Sequence, residues 1–113
     1  MIHVYLDDYR PCPKGFVPAR DAKECRLLLE EETIDILSLD FDLGWGQPTG
    51  MEVVRHIIAS RKFPRRIYIH TSSAAGRVSM YHELSLHLPG DSQLFGGPMP
   101  TALLQEIAST AKA

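Results

Sequence analysis

The chain of 113 residues carries 12 Lys and Arg against 14 Asp and Glu, a formal net charge of −2. This balance gives no broad attraction to nucleic acid or anionic lipid, so no extended nucleic-acid surface is expected and any polyanion contact falls to local arginines. The length suits one domain over residues 1–113, with no repeat, linker or internal boundary, and Cys12 and Cys25 lack zinc-ligand spacing and are too few for a disulfide framework. No signal-peptide pattern and no apolar segment of spanning length is present, so a reduced cytoplasmic protein without membrane attachment is expected.

Ile2 to Leu6 is a short apolar run rich in β-formers that stops at Asp7 and Asp8, as a buried strand does on reaching the sheet edge. The following Pro11-Cys12-Pro13-Lys14-Gly15 resists helix formation, because each proline removes a donor and disfavours helical geometry in the residue before it. Phe16 to Ala19 reads as a second strand. Asp21 with Glu24 makes a capping-box-like start to a helix that buries Ala22, Cys25, Leu28 and Leu29 and ends near Glu32. Ile34 to Leu39 is a third strand running into Asp40. Beyond the loop Leu43 to Thr49, a helix puts Met51, Val54, Ile57 and Ile58 on one face and closes at Arg61 and Lys62, beside its negative dipole end. Ile67 to His70 is a fourth strand, and Ser73 caps a helix expected to bury Val78, Tyr81, Leu84 and Leu88. Leu94 and Phe95 suggest a fifth strand, and a last helix covers Thr101 to Thr110.

Strands alternating with amphipathic helices predict an α/β fold with a doubly wound, five-stranded parallel sheet in the order 2-1-3-4-5. The first crossover departs from the pattern. Asp7 to Gly15 spans roughly 30 Å when extended, against the roughly 15 Å needed to return along a short strand, so this crossover needs no helix.

In open α/β sheets ligands bind beyond the carboxyl ends of the strands where the winding reverses. Asp7 and Asp8 end strand one, Asp40 and Asp42 follow strand three, and the predicted order makes these strands neighbours. Two such charges at ~4 Å repel by ~4 kcal/mol at an effective dielectric near 20. A hard cation resolves the repulsion, and magnesium, with manganese as an alternative, suits an oxygen-rich site that also takes a phosphate. A lone strand-end aspartate usually caps a turn; four at two adjacent ends favour the metal.

Other residues join this edge. His70 ends strand four, where an imidazole can protonate a leaving alkoxide or activate water, although a histidine in a strand is as often a packing residue. Arg77 follows Ser-Ser-Ala-Ala-Gly at a helix start, where exposed amides, the positive dipole end and a guanidinium can face one anion; the plainer alternative is a solvated arginine. Arg10 and Arg20 follow strands one and two and can hold phosphate, with structural salt bridges the preferred reading. Trp45, between Gly44 and Gly46, can stack on a nucleobase, but a ring folded onto its own loop is the plainer expectation.

The order of these pieces resembles the flavodoxin-like receiver domain of bacterial response regulators. The resemblance implies that Asp40 is the phosphoacceptor, Asp7 and Asp8 the metal-binding acids, Asp42 a metal contact through its backbone carbonyl, and Thr71 the hydroxyl that senses the phosphoryl group. Two features depart from it. Pro11 to Gly15 replaces the first helix, and Gly97 before Pro98 stands where receivers carry a lysine. Both departures are similar to the cyclic-phosphate-processing receiver domain, as are Leu6-Asp7-Asp8-Tyr9-Arg10-Pro11, Leu39-Asp40-Phe41-Asp42-Leu43-Gly44, Thr49-Gly50, and Ile69-His70-Thr71-Ser72 leading to Gly76-Arg77. That likeness implies a cyclic phosphate, as a nucleotide or an RNA end, as substrate.

The expected catalytic residues are then Asp40, His70 and Thr71, the phosphate ligands Arg10, Thr71, Ser72 and Arg77, and the metal ligands Asp7, Asp8, Asp40 and Asp42. The first function expected is a magnesium-dependent phosphoesterase, a hydrolase of cyclic phosphates. The second is a stand-alone receiver phosphorylated on Asp40 that binds a signalling protein.

Overall fold

A computed structural model describes residues 1–111 of the chain. The strand β1 (Ile2–Leu6) lies between β2 (Val17–Ala19) and β3 (Ile34–Leu39), and the sheet continues through β4 (Arg66–Ile69) to β5 (Gln93–Phe95). All pairings are parallel, in the expected order 2-1-3-4-5. Four helices complete the receiver-like α/β fold: α1 (Ala22–Glu31), α2 (Gly50–Ser60), α3 (Ala74–His87) and α4 (Thr101–Thr110).

Alternation along the strands divides the core into two layers. Val4, Leu6, Leu37, Leu39, Ile67 and Ile69 face α1, α2 and α3, meeting Cys25, Leu29, Val54, Ile57, Met80 and Leu84. Tyr5, Ile36 and Tyr68 face the other way, against Ile107 and the half-buried Leu103 and Leu104 of α4. No helix joins β1 to β2. Phe16 does part of that helix's packing, lying just before β2 in the second layer with its ring edge-on to Tyr5. The expected strand over Phe16 to Ala19 is therefore one residue shorter, because Phe16 turns inward.

The start of α1 follows from reciprocal capping: Asp21 accepts from the Glu24 amide at 2.8 Å, and the Glu24 carboxylate accepts from the Arg20 amide at 2.6 Å. In α3 the buried stripe is Gly76, Met80 and Leu84, whereas Val78 and Tyr81 are exposed. The expectation that Val78 and Tyr81 are core is corrected here. Residues 76, 80 and 84 recur every four positions on one helix face, and the missing side chain at Gly76 lets that face close onto the Phe41 ring. Among the described residues no helix is long and apolar enough to cross a membrane.

Candidate functional site

Strand register assembles the site. Leu6 pairs with Leu39, and Leu39 with Ile69, so the next residue on each strand, Asp7, Asp40 and His70, crosses the same sheet edge. Each is still tied to its neighbour strand: the Asp7 amide donates to Ala19, that of Asp40 to Leu6 and that of His70 to Leu39. His70 thus lies one residue beyond β4, not inside a strand as expected. One ligand atom from each of Asp7, Asp40 and His70 lies within 4.8 Å of the others.

Asp7 is completely buried. Its Oδ1 accepts from the backbone amides of Tyr9 at 3.0 Å and Arg10 at 2.9 Å, while its Oδ2 accepts from Arg10 Nη1 at 2.7 Å and faces His70 Nε2 at 3.0 Å. Burial pushes this carboxyl up, but the bonds from Arg10, Tyr9 and His70 outweigh it and hold the group at about 2. Asp40 is also buried, yet its pKa moves upward, because burial and the charge of Asp7 outweigh the opposing influence of the nearby Thr71 hydroxyl, His70 and the Phe41 amide, which donates to Oδ1 at 2.8 Å. Two aspartates at equivalent strand ends therefore have pKa values shifted in opposite directions.

Arg10 spans both acids, with Nη1 at 3.4 Å from Asp40 Oδ2. Repulsion between the acids is thus already offset by a side chain of this protein. No cationic side chain stands at Gly97, after β5, and the guanidinium that touches the acid pair is Arg10, from the loop after β1. Arg10 itself is held from behind: Arg20 Nη1 donates to the Arg10 carbonyl at 2.8 Å and the Asp7 carbonyl at 3.1 Å. Arg20 therefore binds carbonyls and not carboxylates.

The His70 ring is 6% exposed, stacks on Tyr5 with centroids 4.4 Å apart, and receives the Ser38 Oγ at 2.6 Å from Nδ1. Burial lowers its pKa despite the nearby Asp7. Sequence reasoning missed Ser38 and Tyr5. The available signal was a hydroxyl inside the otherwise apolar run Ile36 to Leu39, where a buried polar group requires a partner.

The remaining expected residues divide. Thr71 is buried, its Oγ1 accepting from the Ser73 amide at 3.1 Å, and its hydroxyl favours the charged form of Asp40 nearby. Ser72 is exposed at the same edge. Arg77 Nη2 donates to the Thr71 carbonyl at 2.6 Å, so it braces the loop that carries Thr71, and its buried Nε has no protein partner. Asp8 and Asp42 are outside the compact group and line an adjacent cleft with Tyr9, Gly44 and Trp45. Trp45 is fully exposed, which overturns the expectation of a ring folded onto its loop. The start of α2 presses close behind: a Cβ at Gly50 would collide with the Asp40 carbonyl, so only glycine lets α2 begin there.

The model of the cyclic-phosphate processing receiver domain matches residues 2–85, a span that contains every residue of this site. The chain belongs to this family. Comparison with curated proteins and with solved structures returns no significant match. For a cyclic-phosphate processing receiver domain, the Asp7, Asp40 and His70 donors form a set that suits a divalent cation, with two hard carboxylates and an imidazole.

Proposed function

We propose that this domain is a divalent-cation-dependent phosphoesterase that opens cyclic phosphates, on a nucleotide or an RNA end, to monoesters. The observation that carries the proposal is the convergence of Asp7, Asp40 and His70, with Arg10 among them, at one sheet edge of a cyclic-phosphate processing family member. Magnesium, or manganese in its place, would be held by Asp7 and Asp40 and would supply charge stabilisation to a phosphate oxygen.

The protein's own groups then have distinct tasks. Arg10 and the hydroxyls of Thr71 and Ser72 bind phosphate oxygens, and Arg77 keeps the Thr71 loop in place. Water attacks phosphorus, one ester P–O bond breaks, and the departing alkoxide takes a proton. His70 moves that proton. The Ser38 hydroxyl at Nδ1 holds the ring so that Nε2, the nitrogen through which the proton moves, faces the acid pair. The test is a panel of cyclic and linear phosphates assayed with magnesium: His70→Ala is expected to lower turnover by ~100-fold or more. Failure of every cyclic phosphate to turn over would refute the proposal.

One observation favours a second reading, a receiver phosphorylated on Asp40 that engages a protein partner: the buried Thr71 hydroxyl lies near enough to Asp40 to favour its charged form. That reading requires a stable phosphoryl adduct after incubation with an acyl-phosphate donor, absent in Asp40→Ala.

A further inference from the structure

Trp45 is the one tryptophan of the chain, and it is 100% exposed. Tryptophan is highly buried on average, so an indole held wholly in solvent beside a candidate site calls for a use. Its position is built. Gly44 and Gly46 have φ of 109° and 76°, and the Gln47 amide donates to the Gly44 carbonyl at 3.2 Å, a tight turn with Trp45 near its apex. Across the loop, Tyr9 is 71% exposed, with the Arg10 guanidinium 4.9 Å from its ring centroid. The same Arg10 reaches Asp7 and Asp40, so one side chain joins the aromatic surface to the acid pair. Asp8, Tyr9, Asp42, Gly44 and Trp45 line one open cleft of about 360 Å³ beside the acid pair.

We infer that this cleft binds the nucleobase of the substrate, with Trp45 and Tyr9 as stacking surfaces and the Asp8 and Asp42 carboxylates as acceptors for base N–H groups. The inference rests on the phosphoesterase reading for the position of the phosphate. The charge pattern decides which end of the ligand goes where. The two carboxylates repel a bare phosphate and favour a neutral ring bearing N–H donors, while Arg10 draws the phosphate toward Asp40. Stacking on aromatics tolerates any base, since every base has a π-face. The chemistry is shared by free cyclic nucleotides and by RNA ends.

Trp45 fluorescence reads the cleft directly, without competing tryptophans. In the presence of magnesium, adenosine 2′,3′-cyclic phosphate is expected to quench Trp45 emission, whereas glycerol 1,2-cyclic phosphate, which carries no base, leaves it unchanged. Calorimetry is expected to show Trp45→Ala weakening nucleotide binding by roughly tenfold or more, with Trp45→Phe restoring most of it. A short oligoribonucleotide with a terminal cyclic phosphate separates the sources: tighter binding of the oligomer assigns RNA ends, and tighter binding of the mononucleotide assigns free nucleotides. Equal responses to the nucleotide and the glycerol compound, or unaltered nucleotide affinity in Trp45→Ala, would overturn the inference. Hydrolysis is followed in the same samples. Turnover of both compounds with no Trp45 response removes the base site and leaves the phosphoesterase standing; Trp45-dependent nucleotide binding without hydrolysis supports the base site and removes the phosphoesterase.

Discussion

The Ser38 hydroxyl sits 2.6 Å from Nδ1 of His70, while Nε2 of the same ring faces a carboxylate oxygen of Asp7 at 3.0 Å. An ionised carboxylate only accepts, so Nε2 carries the proton and Nδ1 accepts from Ser38. In the metal-free protein, nitrogen-15 NMR should find His70 neutral with its proton on Nε2. Ser38→Ala leaves a buried ring nitrogen without its donor and should lower stability by about 1–3 kcal/mol. An unchanged urea midpoint in Ser38→Ala would contradict the pairing.

Opposite effects are expected from neutralising the two acids. Asp7 is held at about 2 by bonds that favour its charge, so its folded-state pKa is depressed and its stabilising contribution is complete above the carboxylate range. Asp40 has a raised pKa, so at neutral pH its charge opposes folding. With chelator present at pH 7, Asp7→Asn should therefore lower the melting temperature, by the equivalent of about 1–3 kcal/mol, and Asp40→Asn should raise it. Shifts of the same sign in both variants would mean that the two carboxyls share one environment.

Arg10 competes with any cation for the same oxygens. Removing it should tighten magnesium or manganese binding by roughly tenfold, the scale of losing one close like charge in a partly screened site. Phosphate affinity should fall in the same Arg10→Ala protein. Calorimetric titration measures both, and a cation affinity that weakens would show that Arg10 orders the ligands.

Cys25 packs wholly inside the core between α1 and the sheet, and burial pushes its thiol up to about 12. The folded-state pKa is raised above the ordinary thiol value of about 8.5, so its contribution is complete below that value and is lost as pH rises toward 12. Across that window the thiol should withdraw stability at about 1.4 kcal/mol per pH unit, and Cys25→Ala should fall less steeply between roughly pH 9 and 11. Parallel slopes in denaturant unfolding would place the thiol within reach of solvent.

Chain pattern alone determined the order of elements, the parallel sheet and the helix-free first crossover. These properties are local: apolar runs end at acids, capping residues precede helices, and Pro11 and Pro13 cannot propagate one. The same locality placed Asp7, Asp8, Asp40 and Asp42 at one edge without saying which of them meet. Tertiary structure decided that through register, because Leu6, Leu39 and Ile69 align and successive residues leave a strand in different directions. Asp7 and Asp40 consequently meet His70 and Arg10, while Asp8 and Asp42 turn to the cleft beside Trp45. The Ser38 partnership, the exposure of Val78 and the solvent position of Trp45 were beyond sequence reasoning for a related reason. Each depends on a neighbour distant in the chain, or on the lack of one, and periodicity records only what lies within a few residues.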